Sequence, residues 1–206
     1  MLGHRSDLRP DDVISIGGLR VTSPWRTWCD LGLTADDVDL VILADALRRR
    51  FGDGERRLSE RLDGWSGRRG ALRLRRALAR SRDRVDSPME TRLRLIFEDA
   101  GLPEPRVNEW VRDEAGNPLH CPDLSWPSWR VAADYDGTHH GDRDSVESVR
   151  SGRASNWRER LDNSRHDLLD EVDWVLRIFT SFDVLRAPEI AARRLRDALR
   201  LHGADV

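Results

Sequence analysis

The chain has 206 residues, of which 35% are charged, and its 35 basic and 37 acidic side chains leave a formal net charge of −2. That balance excludes the uniform positive field of a bulk polyanion binder, so any contact with nucleic acid must come from local clustering. Two cysteines, Cys29 and Cys121, lie far apart with no CxxC spacing, which excludes a disulfide framework and points to a reducing, cytoplasmic setting.

The longest apolar run, VDLVILADAL, is too short and too acidic to span a bilayer, and the first residues lack the apolar core of a signal peptide. No membrane role is expected. All the fixed cations are arginine, because the chain contains no lysine. They cluster between Arg48 and Arg84, while the stretch from Asp113 to Glu147 is rich in Asp and Glu. The arginine cluster reads either as a solvated helix surface or as a set of phosphate contacts.

In chain order, a short β-prone piece spans Gly18 to Thr22, and Ser23 before Pro24 starts a helix in TSPWRTWCDLG. Val38, Val41, Ile42, Ala46 and Leu47 recur at helical spacing between Ala35 and Arg50, FGDGE breaks the pattern, and 58–62 and 71–79 are helical again. Residues 1–85 therefore form a mainly helical, arginine-rich region, with RDRVDSP as the boundary. Ser87 and Pro88 begin a helix through Ala100, stopped by Gly101 and Pro103, whose apolar stripe is Met89, Leu93, Ile96, Phe97 and Ala100. Three β-prone stretches follow as a meander: Arg106 to Arg112, Leu119 to Trp126 and Trp129 to Asp136. After a polar loop come a helix over 157–171, a strand in WVLRIF and a final amphipathic helix in APEIAARRLRDALRLHG.

Side chains alternate along a strand, so Asp134 and Asp136 share one face while Val131, Ala133 and Tyr135 share the other. A hairpin centred on Pro127 and Ser128 sets Asp123 opposite Ala132, hence on the face of Asp134. Three carboxylates converging in this way suit a hard divalent cation such as Mg²⁺, which prefers oxygen ligands and retains waters that can be activated. Other readings of the same residues stay open. Ser87-x-x-Glu90 is also a capping box, Asp136-Gly137 is also a strand-ending turn, and His139-His140 with His120 and Cys121 also offer zinc-type donors.

Glu90, Pro122-Asp123, Asp134-Tyr135-Asp136-Gly137-x-His139-His140, Asp162-x-x-Arg165 and Trp174-Val175-Leu176-Arg177 together resemble the very-short-patch-repair-like branch of the PD-(D/E)xK nuclease superfamily. The likeness covers residues 86–200. The arginine-rich region resembles the segment that precedes such a domain in AbiEi-type antitoxin proteins, without their winged helix. The resemblance implies an α/β fold with a restriction-endonuclease-like αβββαβ core, a mixed sheet flanked by helices, in residues 86–206. It implies a Mg²⁺- or Mn²⁺-dependent deoxyribonuclease with Glu90, Asp123 and Asp134 as metal ligands. Asp136 stands at the lysine position of that family. With no lysine to place the attacking water, the resemblance assigns that role to His139 or His140, with Arg165 or Arg177 near the phosphate. The loop 141–160 is longer than the family's, and Asp173 replaces a glycine. The expected partner is DNA, with a toxin or other protein as a further candidate. The alternative function is a catalytically degenerate nuclease fold that serves as a DNA-binding or toxin-antitoxin regulatory module.

Overall fold

Gly17 and Gly18, both at positive φ (57° and 82°), close a two-residue hairpin between β1 (Val13–Ile16) and β2 (Leu19–Thr22). The register runs from Val13↔Thr22 to Ile16↔Leu19. Adjacent glycines suit such a turn because both central residues need left-handed backbone. The computed structural model describes residues 8–137 and 167–206, and a 3₁₀ turn over Pro10–Asp12 precedes this hairpin. The sequence reading expected only the second strand. The first is legible in hindsight as VISI before the glycine pair.

The chain divides into two compact units, Met1–Asp86 and Ser87–Val206. In the first, α1 (Pro24–Leu31), α2 (Asp37–Arg50), α3 (Gly54–Asp63) and α4 (Ala71–Arg80) follow the hairpin. Ser23 Oγ accepts the Arg26 N–H at 3.4 Å and Pro24 occupies the first helical position, as a helix start requires. Trp28, Leu40, Leu58 and Leu74 are fully buried, and the Trp28 indole donates to the Leu40 carbonyl at 2.9 Å. Gly54 allows α3 to start against α2, since a Cβ there would lie 2.6 Å from the Arg48 Cα. Asp12 and Arg26 are both buried and pair at 3.1 Å. Burying either charge alone would be costly, so each depends on the other.

The second unit contains α5 (Pro88–Asp99) and a four-stranded mixed sheet in the order β3 (Arg106–Val107), β6 (Leu124–Trp126), β7 (Val131–Asp136), β8 (Val175–Thr180). β3, β6 and β7 pair antiparallel, whereas β8 lies parallel to β7. α6 (Ser181–Leu185) and α7 (Pro188–Leu201) follow. One sheet face, carrying Leu124, Trp126, Val131, Ala133 and Phe179, belongs to a core shared with Leu93 and Phe97 of α5 and Leu195 and Leu199 of α7. Phe97 meets the rings of Trp126 and Phe179 edge-on at 5.9 and 5.3 Å. Ala132 and Leu176 pack with Val111 and Leu169 in a second cluster.

Two of the expected long strands are split. Asn108, at φ 46°, breaks the first between β3 and β4 (Val111–Arg112). Residues 121–123, which include Pro122 and its missing N–H, separate β5 (Pro118–His120) from β6. β4 and β5 pair with each other as a separate two-stranded ribbon, so the expected three-stranded meander is a sheet plus a ribbon. The turn at Pro127 is also larger than expected. A 3₁₀ turn over Pro127–Trp129 and Arg130 at φ 51° connect β6 to β7, giving the register Leu124↔Ala133. Most of the expected helix 157–171 lies outside the described residues, and 167–170 is helical. Among the described residues no helix is long and apolar enough to cross a membrane.

Candidate carboxylate site

Extending the β6–β7 register by one residue beyond Leu124↔Ala133 brings Asp123 against Asp134, where the backbone ladder stops. Side chains take over there. The Asp123 N–H donates to Asp134 Oδ1 at 3.1 Å, and the Tyr135 N–H donates to Asp123 Oδ2 at 2.7 Å. The Asp123–Ala132 pairing expected from a tight turn is therefore corrected by two residues. Because side chains alternate with a period of two, the correction keeps Asp123 on the face of Asp134 and brings it closer. A slip of one would have separated them.

Asp134 is buried, at 6% exposure, and its Oδ2 lies 2.8 Å from His120 Nε2 on β5. Glu90 is equally buried in the first turn of α5, whose start is capped by Ser87 Oγ accepting the Glu90 N–H at 3.2 Å. A negative charge is favoured at that end of a helix by the backbone dipole. The Glu90 carboxylate accepts from Asn108 Nδ2 at 3.2 Å, while the Asn108 N–H donates to the Asp123 carbonyl at 3.1 Å. The left-handed turn at Asn108 thus links Glu90 to the segment carrying Asp123. Cap and acid are separate functions here: Ser87 caps the helix while the Glu90 side chain engages Asn108.

Asp136 ends β7, half-buried and in register with Thr180 of β8. Burial first, and then the charge of Asp136, raise the neighbouring Tyr135 hydroxyl above its ordinary pKa. Arg177 pairs in register with Ala133, which places it on the face away from Asp134 and removes it from the carboxylate cluster. His139, His140 and Arg165 lie outside the described residues.

Among the described residues, no group of three or more His, Cys, Asp or Glu side chains is arranged to hold a metal ion. Cys121 is half-buried and forms no disulfide among the described residues, and His120 is engaged with Asp134. Sequence reasoning missed Asn108 altogether and considered His120 only as a zinc-type donor. The signal for Asn108 was a residue tolerant of left-handed backbone between two β-prone pieces.

No family model matches the chain, and no solved structure matches it. Two relatives come from Mycobacterium tuberculosis: "Uncharacterized protein MT2308" of strain CDC 1551 / Oshkosh and "Uncharacterized protein Rv2248" of strain ATCC 25618 / H37Rv. Each is 33% identical over 140 residues, which is 66% of this chain and 47% of the relative. The chain spans about half the length of the curated relatives it matches.

Proposed function

We propose that this protein is a metal-dependent DNA endonuclease of the very-short-patch-repair-like PD-(D/E)xK type, acting in the cytoplasm. The observation that carries the reading is the meeting of Asp123, just before β6, with Asp134 inside β7, with buried Glu90 tied to them through Asn108. The element order supports it: a helix, three antiparallel strands, helical residues at 167–170 and a last strand parallel to the third.

The donor chemistry fits a hard cation. Mg²⁺ commonly binds through one or two carboxylates and completes its shell with water and substrate phosphate, so Asp123 and Asp134 suffice without a third. When bound, such an ion stabilises charge at a phosphoryl oxygen and makes a water more acidic. Asp123 and Asp134 hold it. His120 and the Asp123 N–H fix the orientation of the Asp134 carboxylate, as hydrogen-bonded ligands require. Asn108 orients Glu90, which assists through water. Placement of the nucleophile falls to His139 or His140 and neutralisation of phosphate charge to Arg165, as the resemblance implies.

One observation favours a second reading. Both oxygens of Asp134 already carry hydrogen-bond contacts within the protein. A degenerate nuclease fold that binds DNA or neutralises a toxin would have such a site. Plasmid relaxation separates the two. The nuclease reading expects nicking of supercoiled DNA with Mn²⁺ or Mg²⁺, abolished by Asp123→Ala or Asp134→Ala. Intact supercoiled, linear and single-stranded DNA at high protein concentration, with DNA or partner binding retained, would transfer the protein to the second reading.

A further inference from the structure

The first unit contains a small cavity, about 150 Å³, lined by four arginines (Arg9, Arg26, Arg61 and Arg68), one aspartate (Asp12) and Trp65. That is roughly five times the ~30 Å³ that one water occupies in the liquid. The balance of charge around it is positive. Asp12 is shared between Arg26 and Arg61, and Arg26 also pairs with Asp30 at 2.9 Å. Asp11 reaches Arg61 at 3.5 Å from the solvent side. Arg68 lies over the Trp65 ring at 4.6 Å and Arg26 at 5.2 Å, so two guanidinium groups sit against one indole.

Three polar atoms of lining residues are buried without a hydrogen-bond partner: two donors, the Trp65 indole Nε1 and Arg61 Nε, and one acceptor, Asp12 Oδ1. Trp65 is 8% exposed and the Arg61 side chain 10%. Buried donors are almost always satisfied, because leaving one unpaired forfeits its hydration with nothing in return. Burial also lowers the Arg61 pKa, and although Asp11 opposes this, the charges of Arg9 and Arg68 push further in the same direction. The two unpartnered donors, together with four guanidinium groups against one lining carboxylate, ask for an anion with several acceptor oxygens.

We propose that this cavity binds a phosphate-type oxyanion. A tetrahedral oxyanion accepts from many directions at once, which matches converging guanidinium forks and an indole donor, whereas a carboxylate offers only two oxygens. The oxyanion is either free phosphate or one phosphate of a DNA strand. The site lies within the first unit and does not depend on the nuclease reading.

The test uses the full chain, inorganic phosphate and a short DNA oligonucleotide, with ionic strength matched by chloride. Phosphate raises the melting temperature saturably, as a ligand of the native state must. Trp65→Phe keeps an aromatic face, though a smaller one, and removes the donor, and weakens phosphate binding about tenfold, the loss expected for one hydrogen bond to a charged group. Arg68→Ala, at an exposed position, has a similar effect without threatening the fold, and Arg20→Ala on β2 has none. If the oligonucleotide competes with phosphate and Trp65→Phe weakens both, the proposal stands with the DNA backbone as the source. If phosphate binds and the oligonucleotide does not compete, it stands with free phosphate. Absence of saturable binding by either probe overturns it. So does binding that is equal in wild type, Trp65→Phe and Arg68→Ala, because the anion then sits elsewhere.

Discussion

Asn108 and Cys29 show how single side chains carry more than their local pattern reveals. Asn108 combines a left-handed backbone with a hydrogen bond to Glu90. Asn108→Gly should lose only the bond, whereas Asn108→Ala should lose the bond and strain the backbone, costing about 1 kcal/mol more. Equal urea midpoints for the two variants would remove the backbone component. Cys29 is buried in the first unit, and burial first, then the charge of Asp30, push its thiol from 9.0 up to about 12. Below pH 9 the proton is bound in both states and has no effect. Between about pH 9 and 12 the unfolded chain has released it while the folded chain retains it, so stability should fall by about 1.4 kcal/mol per pH unit. Denaturant midpoints at pH 8 and 10.5 check this: the decline should be steeper in wild type than in Cys29→Ala, which lacks the thiol. The acids at positions 123, 134 and 136 were conspicuous in the sequence because carboxylates are rare in apolar strands, while Glu90, on a helix, was marked by the resemblance. Asn108 was not, since its role depends on a helix 18 residues away in the chain.

At the scale of elements, helices were read more closely than strands. Ser87 and Pro88 mark the start of α5 by local chemistry alone, and Ser87→Ala should cost about 1 kcal/mol while Ser87→Gly costs only a few tenths, measured by chemical denaturation. A loss below the error of measurement would mean that backbone or water already satisfies that helix end. The β6–β7 connection is different, because its length is set by Arg130 at φ 51° as well as by Pro127. Glycine at 130 relieves left-handed strain and should leave stability within about 1 kcal/mol of wild type or raise it, while Arg130→Val, β-branched at positive φ, should lower it by more than that. If valine is tolerated as well as glycine, the turn does not hold the register. The two-residue difference from the expected hairpin passed without harm to the site because the face of a side chain depends only on parity.

For the molecule as a whole, what matters about the arginine-rich region is which charges remain available. Arg48, Arg49, Arg56, Arg57, Arg61 and Arg73 pair with carboxylates of the same unit, so they contribute less external field than their number suggests. Arg75 and Arg76 are exposed on α4. If the protein binds DNA as proposed, reversing both to Glu should flatten the dependence of log affinity on log salt by roughly 1.8, at about 0.9 per phosphate contact, while Arg56→Ala changes it little. An unchanged slope in the double variant would place the contacts elsewhere. The sequence by itself determined the mixed α/β class, the helix starts at Ser23 and Ser87, and the common face of Asp134 and Asp136, because caps and alternation act between near neighbours. Only the tertiary structure decided that two long strands break into four, that Asp123 meets Asp134 directly, that Asn108 connects them to Glu90, and that four arginines surround one cavity beside Trp65. Each of these joins residues distant in the chain, and which partners meet depends on how the whole unit packs.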